Sequence, residues 1–375
     1  MYDGFNPYFY AKSQALKRKY LLPLFLVFQI VVLKIIRFFP EFIERWYSNG
    51  LYVFISNSLR ISLGKLPFSL GDVLYALLII WAIRWFWLLK KNKTIQSLAP
   101  RQKWKAISLS ILSFLSVVYF LFHLLWGLNY YREPLYEKMK IEREYSDADL
   151  ALFTQKLIAK TNAIQLGLMK DKNRKVVVPY SKSQLFEMNR NGYQNLALEH
   201  SMFQYSHLSI KKSLFSIPLT YMGFGGYLNP FTNEAQVNSL GPLYSFPMTA
   251  NHEMAHQIGF ASESECNFIG FLASIKNEDA YIQYSGYSLA LRYCLRNWQA
   301  RDEKKVALFL KTIHPGILAN FKESEIFWKQ YDTFIDKGFH IFYDNFLKMN
   351  QQKDGMEGYS KYVDLMVNYF KQHSL

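Results

Sequence analysis

Three long apolar runs crowd the first third of the chain, and shorter, periodic apolar patterns follow. Leu21–Ile36 reads "LLPLFLVFQIVVLKII", with Lys34 close enough to one end to snorkel to an interface. Leu70–Leu89 carries Asp72 at its start and Arg84 inside, and Ile107–Leu128 has no charged residue over 22 positions. About 20 such residues cross the hydrocarbon core of a bilayer as a helix, so the pattern predicts three spans at about 20–37, 70–89 and 107–128. A signal peptide is the alternative for the first run. No small-x-small cleavage site follows it and two further spans do, which favours a retained span.

From Tyr130 onward the texture is that of a folded polar domain. "SDADLALFTQKLIAK" begins with Ser146 and has Asp149 three residues later, a helix start ahead of a periodic apolar face. "SKSQLFEMNRNGYQNLALEH" predicts a further helix broken near Gly192. "SIPLTYMGFGGYLNPFTNEAQVNSLGPLYSFP" is rich in Gly, Pro and Asn and predicts loop and short strand rather than helix. After residue 260 the pattern is mainly helical, with breaks at His314–Pro315 and around "KDGMEG". The chain therefore divides into a membrane part, 1–129, and a polar part, 130–375.

Charge orients the bundle. Lys12, Lys17, Arg18 and Lys19 precede the first span, and Lys90, Lys91, Lys93, Arg101, Lys103 and Lys105 lie between the second and third. The loop joining the first two spans holds only Arg37, Arg45, Arg60 and Lys65, diluted by Glu41 and Glu44. That asymmetry predicts a cytoplasmic N-terminus and an extracytoplasmic, periplasmic polar domain in a plasma (inner) membrane. It also accounts for much of the net charge of +15, so no nucleic-acid partner is needed. The 50% hydrophobic composition with a mean hydropathy near zero fits the same two-part division. Cys266 and Cys294 are too few for a disulfide framework.

The polar domain contains "NHEMAHQIGFASESECNF", residues 251–268, in which His252, Glu253 and His256 form HExxH. Positions i and i+4 share a helix face, so both imidazoles can reach one ion, while Glu253 sits about 100° away and can act as a base. Composition alone gives a chance expectation of about 0.01 such matches in this chain. Two histidines and one carboxylate leave a tetrahedral zinc one open position for water. Gly259 is placed to end this helix in a left-handed conformation, and Ser262 to cap a second one. The third ligand is then Glu263 or Glu265, which point apart on a helix. Glu265 stands at the capping-box position, which gives it another occupation. Glu263 has none and shares a face with Asn267, which can hydrogen-bond the site, so Glu263 is favoured.

His252-Glu253-x-x-His256 followed by Glu263-x-x-x-Asn267 resembles the gluzincin branch of zinc metallopeptidases. "HEMAHQIGFASESECNFIGFLA" after three spans is most similar to an uncharacterised family of bacterial membrane proteins with a zincin-like domain. The likeness extends to "NPFTNEAQVN" and "GYSKYVDL". The resemblance implies a three-helix membrane anchor, then a mainly α (α+β) zincin-like domain with a small sheet beside the active-site helix. It also implies one Zn2+ held by His252, His256 and Glu263, with Glu253 as catalytic base. A metzincin is disfavoured, because its third histidine would fall at Ser262. Zincins run an edge strand beside that helix, and the alternating Glu234, Gln236 and Asn238 are the candidate substrate strand, a polar loop being the alternative.

The expected function is a membrane-anchored zinc hydrolase acting on a peptide or protein. An intramembrane protease would need the motif within a hydrophobic run, and "PMTANHEMAHQIGFASESE" is polar. The alternative from another class is a non-catalytic zinc-binding sensor or scaffold of the envelope, with Cys266 as its only nearby fourth ligand. Nothing in the sequence chooses an oxyanion donor among Tyr281, Tyr284, Tyr287 and His314, and His123, His200 and His207 have no partner motif.

Overall fold

The computed structural model describes residues 7–352 and 360–375. The "KDGMEG" break lies outside them, as do the side chains of Lys12, Lys17 and Arg18. Helix α1 (Pro7–Ile36) leads through a short α2 (Pro40–Phe42) into a π-helical stretch, Ile43–Leu51, and α3 (Tyr52–Leu63). Then come α4 (Leu70–Lys91), a one-turn α5 (Lys93–Gln96) and α6 (Pro100–Leu125). Three of these segments, Lys19–Ile36, Leu70–Lys91 and Pro100–Leu125, are long and apolar enough to cross a membrane. Their outward side chains are largely apolar, as lipid contact requires. Gln29 of α1 donates to the Ser116 carbonyl of α6, and Trp81 of α4 packs on Phe114.

The rest of the chain is mostly helical. After a 3-10 turn at Gly127–Tyr131 come α7 (Leu135–Lys138), α8 (Asp147–Met169) and α9 (Lys182–Glu199). Three strands and α10 follow: β1 (Ile210–Lys212), α10 (Ser216–Tyr221), β2 (Gly226–Asn229) and β3 (Glu234–Val237). Seven helices follow among the described residues: α11 (Phe246–Gln257), α12 (Glu263–Ile275), α13 (Ala280–Arg301), α14 (Glu303–Leu310), α15 (Pro315–Lys329), α16 (Phe334–Met349) and α17 (Ser360–Gln372). The start of α8 carries the expected capping box, Ser146 and Asp149 satisfying each other's backbone amides.

Two helices depart from the sequence expectation. Helix α9 runs unbroken through Gly192, because a Cβ at that position would drive into the Ala273 carbonyl of α12; the glycine serves a helix crossing, not a break. "SIPLTY" is a short helix rather than loop.

Helices α11, α12 and α13 pack together, with α8, α9 and α17 around them, over one continuous core that includes Leu150, Tyr193, Phe268, Phe271 and Trp298. The α11–α12 crossing is close: a Cβ at Gly270 would lie 3.0 Å from the His252 amide nitrogen. The small sheet has the order β1-β3-β2, with β1 parallel and β2 antiparallel to β3. Strand β3 is therefore central and wholly buried, which corrects the expectation of a substrate edge at Glu234, Gln236 and Asn238. Their side chains have structural partners instead. Glu234 accepts from the Leu70 and Gly71 amides, capping the positive end of α4; Gln236 reaches Ser69 and Asn238 reaches Thr220.

The segment between the first two apolar helices does not hang free. Tyr52, Ser56 and Arg60 recur every four residues and form one buried stripe on α3. Tyr52 donates to the Gln257 carbonyl at 2.8 Å, Ser56 to the same carbonyl at 3.0 Å, and Arg60 to the His207 carbonyl at 3.3 Å. Glu44 pairs with Arg132 and Lys138, each at 2.7 Å, and all three side chains are nearly buried. Burial alone would raise the Glu44 carboxyl, but the Arg132 hydrogen bond and the two cations outweigh it and hold it at about 2.

Candidate metal centre

Helix α11 is short, and its position is fixed from several sides. Ser285 of α13 accepts the Met248 amide of its first turn, and Tyr193 of α9 donates to the Asn251 carbonyl. Its end is set by Gly259 in the left-handed region at φ +90, as the sequence predicts. A Cβ there would press on Tyr52 and Asn129, so the turn is packed as well as bent. The chain then re-enters helix at Ser262, which caps α12 by position but makes no side-chain capping bond.

His252 and His256 present their rings side by side on α11. Each Nδ1 sits against a carbonyl-type oxygen, Asn267 Oδ1 at 3.0 Å for His252 and the Phe260 backbone at 2.8 Å for His256. Since only a ring N–H can make those bonds, the lone pair of each neutral imidazole lies on Nε2. The two Nε2 atoms stand 3.1 Å apart and converge on Glu263, whose Oε2 is 3.2 Å from His252 and whose Oε1 is 3.6 Å from His256. Ligand atoms of these three residues all lie within 4.8 Å of one another. Ligands of a tetrahedral zinc stand about 3.3–3.6 Å apart, given metal–ligand distances of about 2.0–2.2 Å. The donor set and its spacing fit that ion.

The charges fit as well. Burial opposes ionisation of Glu263, but the His252 hydrogen bond, both imidazoles and the Tyr343 hydroxyl outweigh it and hold the carboxyl at about 2. Tyr343 of α16 donates to Glu263 Oε1 at 2.7 Å. Burial brings His256 down to about 4; it also lowers His252, but Glu263 and Glu253 more than reverse this and raise it. A buried anion thus draws a cation to the point where the lone pairs meet. As the first residue of α12, Glu263 also faces the positive end of that helix.

Glu253 stands beside this cluster, buried, with Oε1 over the backbone of β2: a Cβ at Gly226 would lie 2.7 Å from it. Its Oε2 has no hydrogen-bond partner among the described residues. Burial, with the nearby Glu263 charge and against the pull of His252, pushes Glu253 up to about 8. Such a carboxyl is poised to exchange a proton near neutrality.

The structure thus brings His252, His256, Glu263 and Asn267 together, with Glu253 alongside. It takes Glu265 elsewhere: that carboxylate accepts the Leu135 amide at 2.7 Å, starting α7 near Arg132 and Lys138. The capping box expected with Ser262 is absent, because a neighbouring helix start offers Glu265 a buried donor. Cys266 lies 3.2 Å from His256 Nδ1, on the side of the ring away from the converging Nε2 atoms, so it does not close the cluster. Tyr281 and Tyr287 pack on Tyr180 and Phe271, Tyr284 donates to Asn320, and His314 reaches Gln165.

Sequence reasoning missed four participants. Gly226 carried a signal in "GFGGYLNP", since a glycine at a strand start marks a close approach of other atoms. Tyr343, Trp126 and Tyr52 carried none, being 80 to 205 residues from their partners. Trp126, at the end of α6, donates its indole N–H to the His256 carbonyl at 3.0 Å.

No curated protein and no solved structure matches this chain. A family model described as "Protein of unknown function (DUF3810)" matches residues 47–367, from within the π-helical stretch into α17, so it spans the second and third apolar helices and the His/Glu cluster. The chain belongs to the DUF3810 family.

Proposed function

We propose that this protein is a membrane-anchored, zinc-dependent metallopeptidase of zincin-like architecture. The observation that carries the reading is the convergence of His252 Nε2, His256 Nε2 and the Glu263 carboxylate, with both Nδ1 atoms tied back to oxygens. Those three residues would hold the ion. When bound there, zinc supplies Lewis acidity, acidifying water and polarising a carbonyl. Glu253 then accepts the proton of the attacking water and returns it to the leaving amine, work that suits a buried carboxyl with a raised proton affinity. Asn267 and the Phe260 carbonyl fix the ring orientations, and Tyr343 fixes Glu263. Strand β2 lies at an edge of the sheet beside Glu253 and takes over the role of substrate strand that β3, being central, cannot fill.

Two observations support an extracytoplasmic site. The segment joining the first two apolar helices touches the C-terminal domain through Tyr52 and Arg60, so both lie at the same end of the bundle, as three crossings require. The basic turn from Lys90 to Lys105 joins the other ends of α4 and α6, where the positive-inside rule expects cytoplasm.

The test uses the full chain in detergent, assayed for zinc content and for cleavage of a broad peptide library. Wild type should carry one zinc and cut; Glu253→Gln should keep the zinc and lose cleavage; Glu263→Ala should lose the zinc. A protein without zinc overturns the proposal. One that binds zinc but cuts nothing becomes the envelope sensor or scaffold.

A further inference from the structure

Helix α16 is apolar on two opposite faces, which a helix in water is not. Its inward face, toward the metal centre, holds Asp336, Phe339, His340, Tyr343 and Phe346. Asp336 and His340 lie against Gly223, Phe339 and Tyr343 meet Phe224 edge-on, and Tyr343 donates to Glu263. The opposite face gathers Phe334, Ile335, Gly338, Ile341, Phe342, Asn345 and Met349, which a 100° rotation per residue places within one half of the helix. Phe334 is 84% exposed, Ile341 67%, Phe342 62% and Met349 80%. Single exposed apolar residues are ordinary, but a 16-residue helix that packs Phe339, Phe346 and Leu347 on one side and still exposes four large apolar side chains on the other is not. One flank of the apolar face is charged, with Lys337 and with Lys348 paired to Asp344 at 2.7 Å, a polar border of the kind that helices lying in a headgroup layer carry.

The position of the helix says what covers that face. Phe346 packs on Phe122, three residues from the end of α6, and on Tyr130 just beyond it. Helix α16 is therefore docked at the end of a helix apolar enough to cross a membrane. A second exposed apolar pair, Leu214 and Ile217, lies at the corresponding end of α4, where the Leu214 amide donates to Asp72 at 2.7 Å. The two patches are linked through the edge-on contact of Tyr221 with Tyr331.

We infer that the outer face of α16 is immersed in the interfacial layer of the bilayer that the three apolar helices cross, making α16 an in-plane membrane helix that roofs the His/Glu cluster. The occupant is lipid, and the inference stands whether or not the centre hydrolyses peptides.

The experiment places the unaltered full chain in phosphatidylethanolamine–phosphatidylglycerol vesicles containing a phospholipid with a diazirine near the carboxyl end of its acyl chain. After photolysis, adducts are mapped by mass spectrometry. Adducts at Ile341, Phe342 or Met349, together with those on the three spans and none on α8, are expected. Adducts on the spans alone overturn the inference. A second measurement attaches a spin label at Phe342→Cys, the native cysteines being buried. The label should be relaxed by oxygen and shielded from an aqueous nickel chelate, the reverse of a label at Gln155→Cys on α8. Equal nickel access at both sites overturns the inference. So does shielding from both reagents with dipolar broadening between labels, which shows a second copy of the chain on that face.

Discussion

The indole N–H of Trp126 and the backbone carbonyl of His256 are hydrogen-bonded at 3.0 Å, so the residue that closes the third apolar helix grips the main chain of a candidate metal ligand. The ring of Trp126 also meets the His256 imidazole edge-on. Trp126→Phe keeps most of the packing and removes the donor. The expected cost is about 1 kcal/mol, read as a lower unfolding midpoint in detergent. An unchanged midpoint sinks the idea that the anchor braces the centre.

Asn267 orients His252 through a single 3.0 Å bond. Asn267→Ala should weaken zinc binding by about 10–100-fold with the helical circular dichroism unchanged, and Asn267→Asp should restore most of the loss. Competition against a chromogenic chelator measures it. Equal affinity in all three proteins contradicts the assigned role.

Gly226 leaves room for the Glu253 carboxylate, and a methyl group there would stand 2.7 Å from both Glu253 Oε1 and the Gln236 carbonyl. Gly226→Ala should therefore retain zinc while kcat/KM falls by about 100-fold, the scale of an ångström-sized misplacement of a catalytic group. Full activity in this variant removes Glu253 from the position described.

Glu44 carries a pH prediction. Its carboxyl is held at about 2 in the fold and titrates at the ordinary carboxylate value when unfolded. A lowered pKa stabilises above the unfolded value, and that stabilisation fades as pH falls through the window between about 4.5 and about 2. Thermal unfolding between about pH 5 and about pH 3 should fall more steeply for wild type than for Glu44→Gln. At neutral pH the variant should be the less stable, because Arg132 and Lys138 are left nearly buried without their anion. Parallel pH curves count against the ion triad.

Much of this was legible in the sequence where the signal was local. The three apolar helices, the capping box at Ser146, the left-handed turn at Gly259 and the i, i+4 pairing of His252 and His256 all depend on residues within a few positions of one another. The readings that went astray involved distant partners. Glu265 stands at the capping-box position three residues after Ser262, yet it caps a helix 130 residues upstream. Glu234, Gln236 and Asn238 alternate like an edge strand, but β1 and β2 pair with both edges of β3, and the entry to α4 engages the Glu234 and Gln236 side chains. Gly192 resembled a breaker because its reason for being glycine lies on α12.

The hydrogen bond from Tyr52 to the Gln257 carbonyl joins residues 205 positions apart. At the pace of synthesis, about 5–20 residues per second, Tyr52 emerges roughly 10–40 s before its partner exists. For that interval the stripe of Tyr52, Ser56 and Arg60 has no domain to rest on, though the flanking spans can already be inserted. Biogenesis of this protein is thus a matter of timing: the final docking of its last two thirds closes a gap that its first sixty residues have held open.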